Sequence, residues 1–141
     1  MKYWLLKTEP DEWSWKDQVK KNKKGAVWDG VRNFQARNNL KAMNINDLCF
    51  FYHTGKEKKI VGIVKVIKEY FGDKSDITGN FGSILVQSYK KFTLPVTLKD
   101  IKNHRLLIHL PLINQSRLSV MNIDSKSWKI ICKMGKINYQ I

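Results

Sequence analysis

The apolar positions of the chain fall into short runs whose spacing alternates between a period of two and a period near 3.6. Residues 2–7, with Tyr3-Trp4-Leu5-Leu6 between lysines, read as a first strand. Ser14 followed by Asp17 has the form of a capping box. It predicts a short helix to about Asn22, closed by Lys20, Lys21, Lys23, Lys24 and Gly25. Residues 34–43 predict a better helix. Ala36, Leu40 and Met43 line up as an apolar stripe, and Arg37 and Lys41 as a basic one. The middle of the chain reads as β. Residues 47–53 alternate Leu48, Phe50 and Tyr52 against Cys49, Phe51 and His53, and residues 60–70 return as a long strand, so the two predict a hairpin. Residues 72–82 carry glycines and aspartates and read as a surface loop. Strands over 83–92 and 93–98 follow, with Pro95 favouring an edge or bend. Residues 101–112 give no clear period. A short strand over 117–121 precedes a last helix, capped by Asp124 or Ser125. That helix turns Trp128, Ile131 and Cys132 inward and ends at Gly135 as its C-cap. Many strands with a few short helices predict an α+β fold built on a β-barrel.

Length sets the scale: 141 residues predict one domain over 1–141, large enough to bury a core without disulfide staples. Cys49 and Cys132 are too few for a disulfide framework. Their apolar neighbours predict buried free thiols and a reducing compartment, cytoplasm or nucleus. The N-terminus lacks the apolar stretch of about 7–15 residues that an export signal needs. No apolar run is long enough to span a membrane.

Charge changes the picture most. Twenty-six Lys and Arg against 12 Asp and Glu give a net charge of +14, which attracts polyanions at long range and points to nucleic acid as partner. The same lysine excess would also follow from an AT-rich coding sequence.

Chemistry for turnover is not evident. Gly25 to Gly30 lacks the Gly-Lys-Ser/Thr of a phosphate loop, and the three histidines, His53, His104 and His109, form no i, i+4 pair. No Cys-x-x-Cys and no nucleophile elbow occur. No catalytic residue, metal site or cofactor is therefore expected. What stands out is Trp28-Asp29-Gly30-Val31-Arg32-Asn33. It sets a tryptophan beside a tight turn, then an arginine and an amide at a helix entry. A tryptophan ring stacks on any base for roughly 1–3 kcal/mol. An asparagine amide offers a donor and an acceptor to one base edge. Arg32 and Arg37 can reach phosphates. Trp28 as core and Arg32 as a solvated charge is the plainer alternative.

Four blocks carry a resemblance to a known family. They are Lys2-Tyr3-Trp4-Leu5-Leu6-Lys7-Thr8-Glu9-Pro10-Asp11-Glu12-Trp13-Ser14, Trp28-Asp29-Gly30-Val31-Arg32-Asn33-Phe34-Gln35-Ala36-Arg37-Asn38, Phe50-Phe51-Tyr52-His53-Thr54-Gly55 and Ser116-Arg117-Leu118-Ser119-Val120. In this order they resemble the EVE domain, a PUA-like β-barrel related in fold to the YTH readers of methylated RNA. The resemblance implies a nucleic-acid-binding module that reads a modified base, in DNA or RNA, within an aromatic pocket. It implies Trp28 as one wall, Asn33 as edge reader, Tyr52 and His53 opposite, and Glu9 as acceptor from a base amino group. It places Ser119 at the pocket floor, and Arg117 there or on a phosphate. Lys21 stands as a further phosphate contact, with Arg32 and Arg37. Residues 71–81 depart from the family pattern in lacking its Tyr-Pro-Asp-like opening. Ser83-Ile84 stands where many relatives carry a tryptophan, and Asn122 replaces a frequent proline. Two other functions remain open: an enzyme acting on a modified base through Asp29 or Glu9, and a basic RNA- or ribosome-associated module without a base pocket.

Overall fold

The computed structural model describes residues 1–138. Six strands form one mixed sheet in the order β2-β5-β4-β3-β1-β6. They are β1 (Tyr3–Thr8), β2 (Ala26–Trp28), β3 (Leu48–His53), β4 (Lys59–Gly72), β5 (Gly82–Thr97) and β6 (Val120–Ile123). Five short helices flank them: α1 (Trp15–Lys20), α2 (Phe34–Ala42), α3 (Leu98–Lys102), α4 (Pro111–Asn114) and α5 (Ser125–Met134). Fold class is thus α+β, as the pattern predicts, but the expected β-barrel is corrected to a six-stranded sheet that does not close. Strand β2 pairs only with β5, and β6 only with β1. At three and four residues, the end strands have few backbone groups with which to close a ladder. The β6 side is covered by helix α2 instead, where Asn39 Nδ2 donates to the Val120 carbonyl at 2.8 Å.

Local chemistry explains the elements. The Ser14–Asp17 capping box is present, both bonds made. In α2 the stripe Ala36, Leu40 and Met43 is fully buried. The β3–β4 hairpin forms in antiparallel register, Leu48 opposite Lys65. β3 also runs parallel to β1, so it sits in mid-sheet and is buried on both faces. The two strands expected over 83–98 are one strand, β5. Its ladder with β4 skips from Gly62↔Lys91 to Ile60↔Val96, and Pro95 sits in that gap, where no N–H is required. The last strand lies a few residues later than the pattern places it. Residues 101–112, without a clear period, fold as short turns of helix.

The core is aromatic at its centre. Trp128 of α5 stacks on Phe50 at 3.8 Å and on Tyr3 at 4.5 Å between ring centroids. Asp124 caps α5 by accepting from the Ser127 N–H. Gly135 sits at the C-cap for a different reason than expected. Its φ of −79° is ordinary, but a Cβ there would lie 2.4 Å from the Phe92 ring. Close approach, not left-handed backbone, requires glycine at that position. Both cysteines are buried free thiols; burial raises the Cys49 thiol well above its usual range and pushes Cys132 up to about 12. No helix among the described residues is long and apolar enough to cross a membrane.

Candidate functional site

A cleft of about 700 Å³ opens between β2 and the end of β1, within the roughly 300–1,000 Å³ range of small-molecule sites. One wall is β2 with the turn that follows it, Ala26 to Asn33. The other is the end of β1, Lys7 to Glu9, with Ser119 beside it. Trp13 and Lys21 close the third side.

Trp28 is 7% exposed. One side packs edge-to-face on Phe51 at 5.6 Å, and the residue also lines the cleft, so it serves both core and wall. Trp13 is half-buried. Its Nε1 donates to Gln18 Oε1 at 3.0 Å, and Gln18, itself fully buried, donates on to the Val86 carbonyl. The ring is thereby anchored to β5. Gly30 has a φ of +76°, a left-handed conformation that side chains rarely adopt. That turn aims its N–H at Asp73 Oδ2, 3.0 Å away.

Asp73 fixes this wall from behind. It is buried, accepts from the Gly30 N–H, the Ser75 N–H and the Ser75 hydroxyl, and pairs with Arg32 at 3.1 Å. Burial opposes its ionisation, but these donors, with the Ser75 hydroxyl foremost, hold the carboxyl well below the usual carboxylate range. Arg32 also donates to Ser75 Oγ at 2.9 Å. Asn33 caps α2, its Oδ1 accepting from the Ala36 N–H at 2.9 Å. That leaves the Asn33 amide nitrogen available as a donor at the edge of the cleft, which the residue lines.

Of the residues picked out in the sequence, the cleft gathers Trp28, Asn33, Glu9, Ser119, Arg32 and Lys21. Four others lie elsewhere. Tyr52 is buried in β3. His53 is buried too; its Nε2 accepts from the Trp15 N–H at 3.0 Å, and Nδ1 therefore carries the proton facing Glu57, 2.9 Å away. Arg37 bonds Asn38 and the Asn80 carbonyl. Arg117 lines a separate depression that shares Asn33 with the cleft. Three residues were not singled out for the site: Lys7, Trp13 and Asp73. Trp13 and Lys7 stand in the first block, where they read as packing and strand. Asp73 sits in a stretch that reads as surface loop, and the contacts that matter, to Gly30 and Arg32, lie some 40 residues away.

The cleft is locally balanced in charge. Lys7, Lys21 and Arg32 face Glu9, Glu12 and Asp29. Arg32 is already paired with Asp73, and the Lys7 ammonium donates to the Ser116 carbonyl at 2.8 Å, its basicity lowered by burial. No histidine among the described residues lines the cleft. The two histidine–carboxylate pairs lie away from it. His53–Glu57 holds the start of α1. At the α5 cap, Asp124 and Ser127 both meet His109 Nε2, at 2.9 and 3.3 Å, so the ring does not bridge them through its two nitrogens.

The fold and site define an α+β domain with an open sheet and a charge-balanced cleft between β2 and the end of β1. The EVE domain model matches residues 2–134, and the chain belongs to that family. Thymocyte nuclear protein 1 of Mus musculus is 44% identical over 81 residues, half of this chain but only 36% of that protein's length. The structure of Rpa0253 from Rhodopseudomonas palustris is 40% identical, with a TM-score of 0.91, covering 96% of this chain and 94% of the other. Human THYN1 in complex with DNA containing 5-methylcytosine shares the fold, with a TM-score of 0.88 at 24% identity, covering 99% of this chain and all of the other.

Proposed function

We propose that this domain binds nucleic acid and reads one modified base, drawn out of its strand, in the cleft between β2 and β1. The observation that carries this reading is the contrast between a chain of net charge +14 and a cleft whose own charges balance around Trp28. A phosphate would meet Glu9, Glu12 and Asp29 inside; a neutral base offers them amino groups instead. The surplus cations outside the cleft suit the backbone. Trp28 supplies a stacking wall, the Asn33 amide a donor, and Glu9 or Asp29 an acceptor for an exocyclic amine. Lys21 at the rim contacts a phosphate. The human relative bound to 5-methylcytosine DNA makes methylated cytosine in DNA the first ligand to test, with modified RNA beside it. The buried thiols suit a reducing compartment, cytoplasm or nucleus.

The test is a binding screen over modified and unmodified mononucleosides and short oligonucleotides, DNA and RNA. A preference for one modified base, retained in the nucleoside, is expected. Equal binding to every oligonucleotide, with no nucleoside bound, would leave only a basic surface.

A further inference from the structure

A base read in a cleft must leave its stack, and in a duplex the vacancy it leaves costs unstacking and unpairing. The rim of the cleft carries the means to fill that vacancy. Immediately after Asn33, Phe34 is 55% exposed, and its ring lies 5.0 Å from Phe81. Arg32 sits over Phe81 at 5.5 Å and Arg37 over Phe34 at 4.8 Å. The loop joining β4 to β5 closes on this cluster, Arg37 donating to the Asn80 carbonyl. At the tip of that loop stands Ile77, 100% exposed. The tip is built rather than loose: Asp76 accepts from the Thr78 N–H at 3.0 Å and from the Phe81 N–H at 2.9 Å, and Asp73 ties the loop base to Gly30 and Arg32. A hydrogen-bonded loop therefore presents one bare aliphatic side chain, linked by direct bonds to the wall of the cleft. Lys74 is exposed on the same loop, and Arg32 and Arg37 bond to it at Ser75 and Asn80, so three cations stand on or beside the loop, which suits a phosphate backbone.

We infer that Ile77 is a wedge for double-stranded nucleic acid: it enters the base stack and takes the place of the base drawn into the cleft. The inference rests on the base-reading function proposed above. Apolar side chains inserted between base steps unstack them at a cost repaid by new contacts. A tip held in advance loses little order on binding.

The experiment compares the parent protein, Ile77→Ala, Ile77→Leu and Trp28→Ala on three DNA probes. These are a duplex with 5-methylcytosine opposite guanine, the same duplex with an abasic site opposite, and the methylated strand alone. Ile77→Ala should bind the paired duplex about 50-fold more weakly, the factor expected for losing three buried carbons. It should bind the other two probes within about twofold of the parent, because neither requires a pair to be opened. Ile77→Leu should recover the paired duplex. Trp28→Ala should weaken all three probes alike, by about 5- to 150-fold. The wedge is refuted if Ile77→Ala matches the parent on the paired duplex, or weakens equally on all three. An unmethylated strand of the same sequence is the control: a parent that binds it as tightly as the methylated strand refutes the reading of 5-methylcytosine, and the wedge for that base with it.

Discussion

At the residue scale, two side chains decide the site. Trp28 is both wall and core, so Trp28→Ala should act twice: roughly 1–3 kcal/mol lost in binding, with weaker discrimination between bases, and about 3–5 kcal/mol lost in stability. Thermal melting run beside the binding assay separates the two. A folded Trp28→Ala protein that binds every oligonucleotide as the parent does would show Trp28 to be scaffold. Asp73 is the second. Its folded-state carboxyl is held below its usual range, so its bonds stabilise the fold above about pH 4, the unfolded value. That contribution fades as pH falls toward the folded value, because the unfolded chain then takes up the proton first. Asp73→Asn should cost about 1–3 kcal/mol at neutral pH, and melting curves of variant and parent should converge as the pH drops below 4. Trp28 could be picked from sequence because it stands beside a turn, an arginine and an amide within six residues. Asp73 could not, since its partners are distant in the chain.

At the element scale, the cap of α2 is where folding and recognition meet. Asn33 uses its oxygen on the Ala36 N–H, which leaves its nitrogen as the donor it can offer at the cleft it lines. Asn33→Asp keeps a good cap oxygen, and negative charge suits a helix N-terminus. The variant should therefore melt at or slightly above the parent temperature, yet bind nucleic acid more weakly, having lost the donor and added a charge. Asn33→Ala should instead lose about 0.5–2 kcal/mol of stability. Unimpaired binding by a folded Asn33→Asp would remove Asn33 from the base edge. Elements with a clear period, such as α2, α5 and the β3–β4 hairpin, were legible because their apolar spacing matches their burial. Strand β2 was not: three residues are too few to show a period, and its existence depends on pairing with Ile84 to Val86.

At the scale of the whole molecule, the +14 charge predicts steep salt dependence. Log K should fall by roughly 0.7–0.9 per phosphate neutralised as log salt rises. Lys21→Ala should lower that slope by about one and weaken all sequences alike, in contrast to Trp28→Ala. Titration of single-stranded and duplex oligonucleotides across a salt series measures both, and a flat response would exclude binding through the basic surface. The sequence by itself determined the α+β class, the family, the charge and six of the residues that meet in the cleft, because periodicity, composition and local motifs are properties of neighbours in the chain. Only the tertiary structure decided that the sheet stays open, that β2 and the end of β1 bound the cleft, and that Tyr52 and His53 turn into the core while Lys7 and Trp13 line it. Asp73 binding Gly30 across 43 residues belongs with these: which strand ends meet, and which side of a strand faces the cleft, is fixed by pairing register and packing between distant segments.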